Sequence, residues 1–210
     1  AAKAYREMLE YRRARGVEKI RALIVSIGVG SVDAWPYFLP RFRPLIDVDG
    51  PWKGVSPVLC HGSDRMGNPL TLTTFSHYQY IAIIEAGLGE LWLEMALYCD
   101  VYFDLLLHER TVATGRMLTR HDVVDIRDVG LGAISKSMLS LLGRMGDSAK
   151  HYPEMICRTT CVNFGSVGLV LLRLTKPFLP KQTRDKFMAC GSNYTIEGVP
   201  PGRLPARWGG

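Results

Sequence analysis

The sequence holds no stretch of about 18 uncharged apolar residues, and a helix that crosses a bilayer needs roughly 20. Nothing in it therefore reads as a membrane span. No charged-then-apolar leader opens it, which sets the expectation of a cytosolic chain. Cysteines are few and odd in number: Cys60, Cys99, Cys157, Cys161 and Cys190. Cys157 and Cys161 are not spaced as a zinc pair, no second pair exists, and no disulfide framework is implied, so all five read as reduced thiols. Long basic blocks are missing too. The net charge of +6 is spread out, and "EYRRAR" and "LPRFRP" are short solvated clusters. This excludes a nucleic-acid partner but suits an anionic membrane surface.

The usual catalytic signatures are also missing. Gly28–Gly30 does not continue into G-x-G-x-x-G, and no strand precedes it. His121, Asp122, Ser135 and Ser137 form no nucleophile elbow. His61, His77 and His151 have no ligand spacing, and Asp100, Asp104 and His108 read as a solvated helix face. The expectation is a protein that is not an enzyme, with no catalytic residue, metal or cofactor. There is no internal repeat and no low-complexity tract.

What is present is a core-forming composition: 210 residues, 47% hydrophobic and 22% charged. Lys3–Arg15 reads as a helix stopped by Gly16, Val17–Ser26 as a second helix, and Ser26–Val32 as a glycine hinge. Asp33–Pro44 is aromatic and interrupted by proline, giving a short helix and turns. Gly54–Phe75 reads as a hairpin around "SDRMGN", with Asp64 and Gly67 as its turn chemistry. Gly89–Arg116 is the longest helical pattern. Strands at Asp122–Val129 and Met155–Phe164 flank a helix at Ile134–Tyr152, which implies a parallel pair. A third strand lies at Lys186–Cys190. The pattern predicts an α/β fold with a mixed sheet flanked by helices. The sequence opens inside a helix and stops on Gly-Gly, so both ends read as boundaries within a longer protein.

Phe164–Leu179 sets an oily helix against the polar run "KQTRDK". Phe164, Val167, Leu171, Leu174 and Phe178 share one face, while Leu169, Val170, Leu172 and Leu179 spread around the others. A helix apolar on all sides is buried or presented to lipid. Composition alone leaves both open, and a central core helix is the plainer choice. Gly165 and Gly168 weaken its start.

"HYPEMICRTTCVNFGSVGLVLLRLTKPFLPKQTRDKFMACGS" resembles the signature of the CRAL-TRIO lipid-binding family, and more narrowly phosphatidylinositol-transfer proteins of the secretory-pathway type. The matched features are Tyr152-Pro153-Glu154, Asn163, Lys176-Pro177-Phe178-Leu179, Thr183, Lys186 and Gly191. "SDRMGNP", Asp125 and the closing "LPARWGG" resemble further family features, although Asp128 stands where the family has glycine. The resemblance implies a lipid-binding domain over residues 31–210, with 1–30 the tail of a preceding helical region. It implies a hydrophobic lipid pocket with Val124 and Ile126 on its sheet floor, closed by a mobile gate helix at Phe164–Leu179. Phe164, Val167, Leu171, Leu174 and Phe178 would then face the lipid. Glu154, Thr183 and Lys186 would hold a phosphatidylinositol headgroup. Arg120 and Asp122 correspond to strand positions that serve choline lipids in dual-ligand members, and their charges set this chain apart. The partners so implied are a phospholipid and, transiently, a membrane surface, with the protein cytoplasmic and peripheral. Other readings stay open: a lipid sensor that does not transfer, a carrier of a sterol or tocopherol-like ligand, or an α/β enzyme working near Asp125 and Glu154.

Overall fold

The computed structural model describes residues 2–130, 135–149, 151–152, 155–163, 165–175, 177, 181–192 and 194–208. Among the described residues five strands form one sheet in chain order: β1 (Val58–Ser63), β2 (Pro69–Thr74), β3 (Arg120–Asp125), β4 (Ile156–Val162) and β5 (Phe187–Ala189). β1 and β2 are antiparallel, and each later pair is parallel. The hairpin between β1 and β2 is set by its turn. Asp64 Oδ1 accepts from the backbone N–H of Met66 at 2.8 Å and of Asn68 at 2.9 Å. Gly67 takes φ +84°, a conformation that favours glycine.

Parallel neighbours need a crossover, and helices supply it. α4 (Tyr80–Glu85) and α5 (Gly89–Thr114) join β2 to β3, and α6 (Lys136–Ala149) joins β3 to β4. α7 (Ser166–Thr175) and α8 (Lys181–Arg184) lie between β4 and β5. The result is the mixed α/β architecture that the alternating pattern predicts. α4 and α8 have no counterpart in that pattern, because 6 and 4 residues are too few to show a helical period. β3 starts and ends earlier than Asp122–Val129. Asp128 turns the chain just past it at φ +64°, so an aspartate keeps the conformation expected of a family glycine.

Ahead of the sheet come α1 (Ala2–Ala14), α2 (Val17–Ile27), three 3₁₀ turns and α3 (Arg43–Ile46). α2 is seated in the main core: Val17 and Ile24 are fully buried, and Arg21 Nη1 donates to Asp104 of α5 at 2.5 Å. α5 is buried around most of its circumference, from Trp92 through Leu107. One core fills the space between this helix and the sheet. A second covers the opposite face, where Leu70, Leu72, Val123 and Val162 meet Ile196, Val199, Leu204 and Trp208. The sheet is therefore a middle layer, and strand alternation decides which side each residue serves.

Candidate functional site

A cavity of about 340 Å³ lies between the sheet and the helices. Its floor carries Thr71 and Thr73 from β2, Asp122 and Val124 from β3 with Ile126 just past it, and Thr159 and Cys161 from β4. Its walls are Trp92, Met95 and Phe103 of α5, Leu142 and Met145 of α6, and Gly168 and Leu172 of α7. One end is aromatic. Ring centroids run from Trp35 to Tyr37 (5.7 Å), to Trp52 (5.5 Å), to Tyr78 (5.9 Å), to Tyr80 (5.2 Å) and to Trp92 (5.5 Å). Trp52 Nε1 donates to the Tyr78 carbonyl at 2.9 Å, which locks the arc in place.

Charge stands inside this apolar wall. Arg120 Nε lies 2.6 Å from Asp122 Oδ1, and Nη2 donates to Oδ2 at 3.1 Å. The Arg120 guanidinium lies 4.5 Å from the Phe103 ring centroid, a cation–π seat. The Thr71 hydroxyl donates to Asp122 Oδ1. Burial by itself would lower the Arg120 pKa, but Asp122 and Asp100 raise it above the ordinary arginine value. Burial first, then the neighbouring Asp100, pushes the Cys99 thiol up to about 12, so it stays protonated. Burial does the same to Cys161, also to about 12. All five cysteines are free.

The opposite sheet face also carries buried polar side chains. His121 is 2% exposed, and its Nε2 lies 3.0 Å from the Thr160 hydroxyl. Asp125 is fully buried, and its Oδ1 accepts from Arg127 N at 2.9 Å and Asn163 Nδ2 at 2.8 Å. These bonds tie the ends of β3 and β4 together and give Asp125 a structural task.

The residues picked out from sequence fall in several places. Val124 and Ile126 line the cavity. Glu154, Phe164 and Phe178 lie outside the described residues, and for Val167, Leu171 and Thr183 only the backbone is described. Leu174, expected on the lipid-facing side, is instead 40% exposed. The cavity face of α7 is Gly168 and Leu172, one turn apart, while Leu169 and Val170 point outward with Leu174. Both faces of that helix are apolar, so its periodicity carried no phase. Lys186 is half-buried just before β5, where its carbonyl accepts from Thr159 N at 3.0 Å. Asp100, taken from sequence as part of a solvated helix face, lines the cavity, and Asp104 of the same set pairs with Arg21. A carboxylate one turn from another gave no sign of this, because only packing shows which flank of α5 is enclosed.

Among the described residues no helix is long and apolar enough to cross a membrane. Residues 55–210 match the CRAL/TRIO domain family. A solved structure titled "Crystal structure of Sfh5" is similar at 16% identity with a TM-score of 0.46. The likeness covers 62% of this chain and 45% of that one.

Proposed function

The chain belongs to the CRAL/TRIO domain family, and from that premise we propose that its cavity encloses a phospholipid, phosphatidylinositol, which the protein presents to or transfers between membranes. The cavity between sheet and helices, apolar over most of its lining, is the observation that carries this reading. Each buried methylene contributes about 0.8 kcal/mol, so even one long acyl chain gains on the order of 10 kcal/mol by leaving water. The exposed Leu169, Val170 and Leu174 support a peripheral membrane contact through the outer face of α7, which also walls the cavity through Gly168 and Leu172. The headgroup part of the reading rests on the family signature, with Lys186 as the cation, Thr183 as the hydroxyl donor and Glu154 as the acceptor for inositol hydroxyls. A cytoplasmic setting with reduced thiols belongs to the same proposal.

Native mass spectrometry of the purified chain tests it directly, with transfer of labelled phosphatidylinositol between vesicles as the second measurement. A bound phosphoinositide is the expected mass, and Lys186→Ala is expected to weaken binding about ten- to a hundred-fold, the scale of one charge-assisted contact. A protein that carries no lipid from any source, or a folded Lys186→Ala variant with unchanged phosphatidylinositol binding, would defeat the cavity reading and the headgroup reading respectively.

A further inference from the structure

α5 lines two spaces. Trp92, Met95, Cys99 and Phe103, three or four residues apart, face the cavity described above. Glu90, Leu93, Glu94 and Leu97, on an adjoining row, face a second cavity of about 220 Å³ between α5, α6 and α1. Two side chains belong to both spaces: Ala96 of α5 and Met145 of α6. They form the partition between them. Alanine has nothing beyond Cβ, so the separation depends on Met145, an unbranched side chain with three rotatable bonds. Met145 is 36% exposed, which leaves it room to change rotamer on its outer side.

The charges that line the second cavity have partners within the chain. Arg144 Nη1 and Nη2 donate to Glu90 at 2.6 and 2.8 Å, which stitches α6 to α5. Arg41 lies 2.5 Å from Glu94, and the Arg15 guanidinium lies 6.0 Å from the Tyr11 ring centroid. An ionic ligand would have to displace these contacts. Hydrocarbon would not, because Leu93, Leu97 and the partition itself give it apolar surface. The Arg144–Glu90 stitch is exposed on both sides, so water and salt weaken it and the two helices can part slightly there.

We propose that Met145 is a movable partition, and that when it swings aside the second cavity takes the far end of a long acyl chain whose remainder lies in the main cavity. This rests on reading the main cavity as a lipid site and adds what sets the length of chain it accepts. Chains that end before Ala96 leave the partition closed. Longer ones displace Met145 and end between Leu93 and Leu97 of α5 and Tyr11 of α1. Each methylene left in water instead would weaken binding about four-fold, so the partition governs chain-length preference.

The test equilibrates the full chain with vesicles that carry phosphatidylinositol and phosphatidylcholine, each in dimyristoleoyl and dioleoyl form, and weighs the bound lipids by native mass spectrometry. Both headgroups are present so that the chain-length result stands whichever is bound. The wild type is expected to hold the dioleoyl form at least as well as the dimyristoleoyl form. Met145→Trp fills the partition, and its ratio of dioleoyl to dimyristoleoyl is expected to fall about ten-fold or more, the effect of roughly two methylenes left in water. Met145→Cys is the second variant, read by N-ethylmaleimide labelling above the wild-type background. Its labelling is expected to slow about five-fold or more with dioleoyl lipid bound and to be unaffected by dimyristoleoyl lipid, since only a chain lodged in the second cavity covers the thiol. An unchanged chain-length ratio in folded Met145→Trp, or labelling of Met145→Cys indifferent to dioleoyl lipid, overturns the proposal while leaving the lipid cavity intact. Absence of any bound lipid overturns the cavity reading itself.

Discussion

Asn163 donates its side-chain amide to Asp125 Oδ1 at 2.8 Å, joining the ends of β3 and β4 shortly before the chain enters α7. Asn163 adopts φ +57°, a conformation asparagine tolerates better than most residues, so the bond and the backbone turn reinforce one another. Asp125→Ala should therefore leave the half-buried amide of Asn163 and the N–H of Arg127 without their acceptor. A loss of about 1–3 kcal/mol in urea denaturation is expected, with Asp125→Asn losing less because it keeps one acceptor oxygen.

The cavity pair makes a separate prediction about stability. Breaking it with Asp122→Ala strands the Arg120 cation at 11% exposure and should cost about 3–5 kcal/mol. Replacing both partners, as in Arg120→Met/Asp122→Leu, should be neutral or stabilising by up to about 4 kcal/mol. A double-mutant cycle by chemical denaturation measures this, and equal losses in the single and double variants would contradict it.

α7 has two apolar faces with different tasks. Leu169→Glu lies on the outer face, at 49% exposure, and should change stability by no more than about 0.5 kcal/mol while lowering retention on anionic liposomes. Leu172→Glu would put a carboxylate into the cavity wall, so its melting temperature should fall clearly below that of Leu169→Glu. Equal melting temperatures for the two variants would show that α7 does not seal the cavity as described.

His121 predicts a pH dependence. Burial is the main cause of its lowered pKa and Arg158 adds to it, while Asp64, Asp122 and Glu197 oppose. The folded state thus binds this proton less readily than the unfolded state does. Its contribution to stability is complete above the unfolded value, about 6.5, and is lost as pH falls from there through the lower folded value. Thermal melts across mildly acidic pH should show a steeper fall for the wild type than for His121→Gln. Parallel pH profiles would remove His121 from the account.

The hairpin, the parallel β3–β4 pair and the long α5 were legible from sequence, because each rests on chemistry within a short stretch of chain. Asp64 and Gly67 make their turn locally, and a helix between two strands imposes a parallel crossover by length alone. Val124 and Ile126, which the family resemblance set on a pocket floor, line the cavity. The orientation of α7 was not legible. Its two sides are both apolar, so no period distinguished Leu172, which faces the cavity, from Leu174, which faces outward. The aromatic arc from Trp35 to Trp92 gathers rings from segments far apart in sequence, and only packing brings them together. The same holds for the charged pair. Sequence showed Arg120 and Asp122 two apart on a strand, but the depth of their burial, the Phe103 ring over the guanidinium and Asp100 in the same wall are consequences of the tertiary fold. Local chemistry settles which elements form, and burial from several elements at once settles what a side chain can bind.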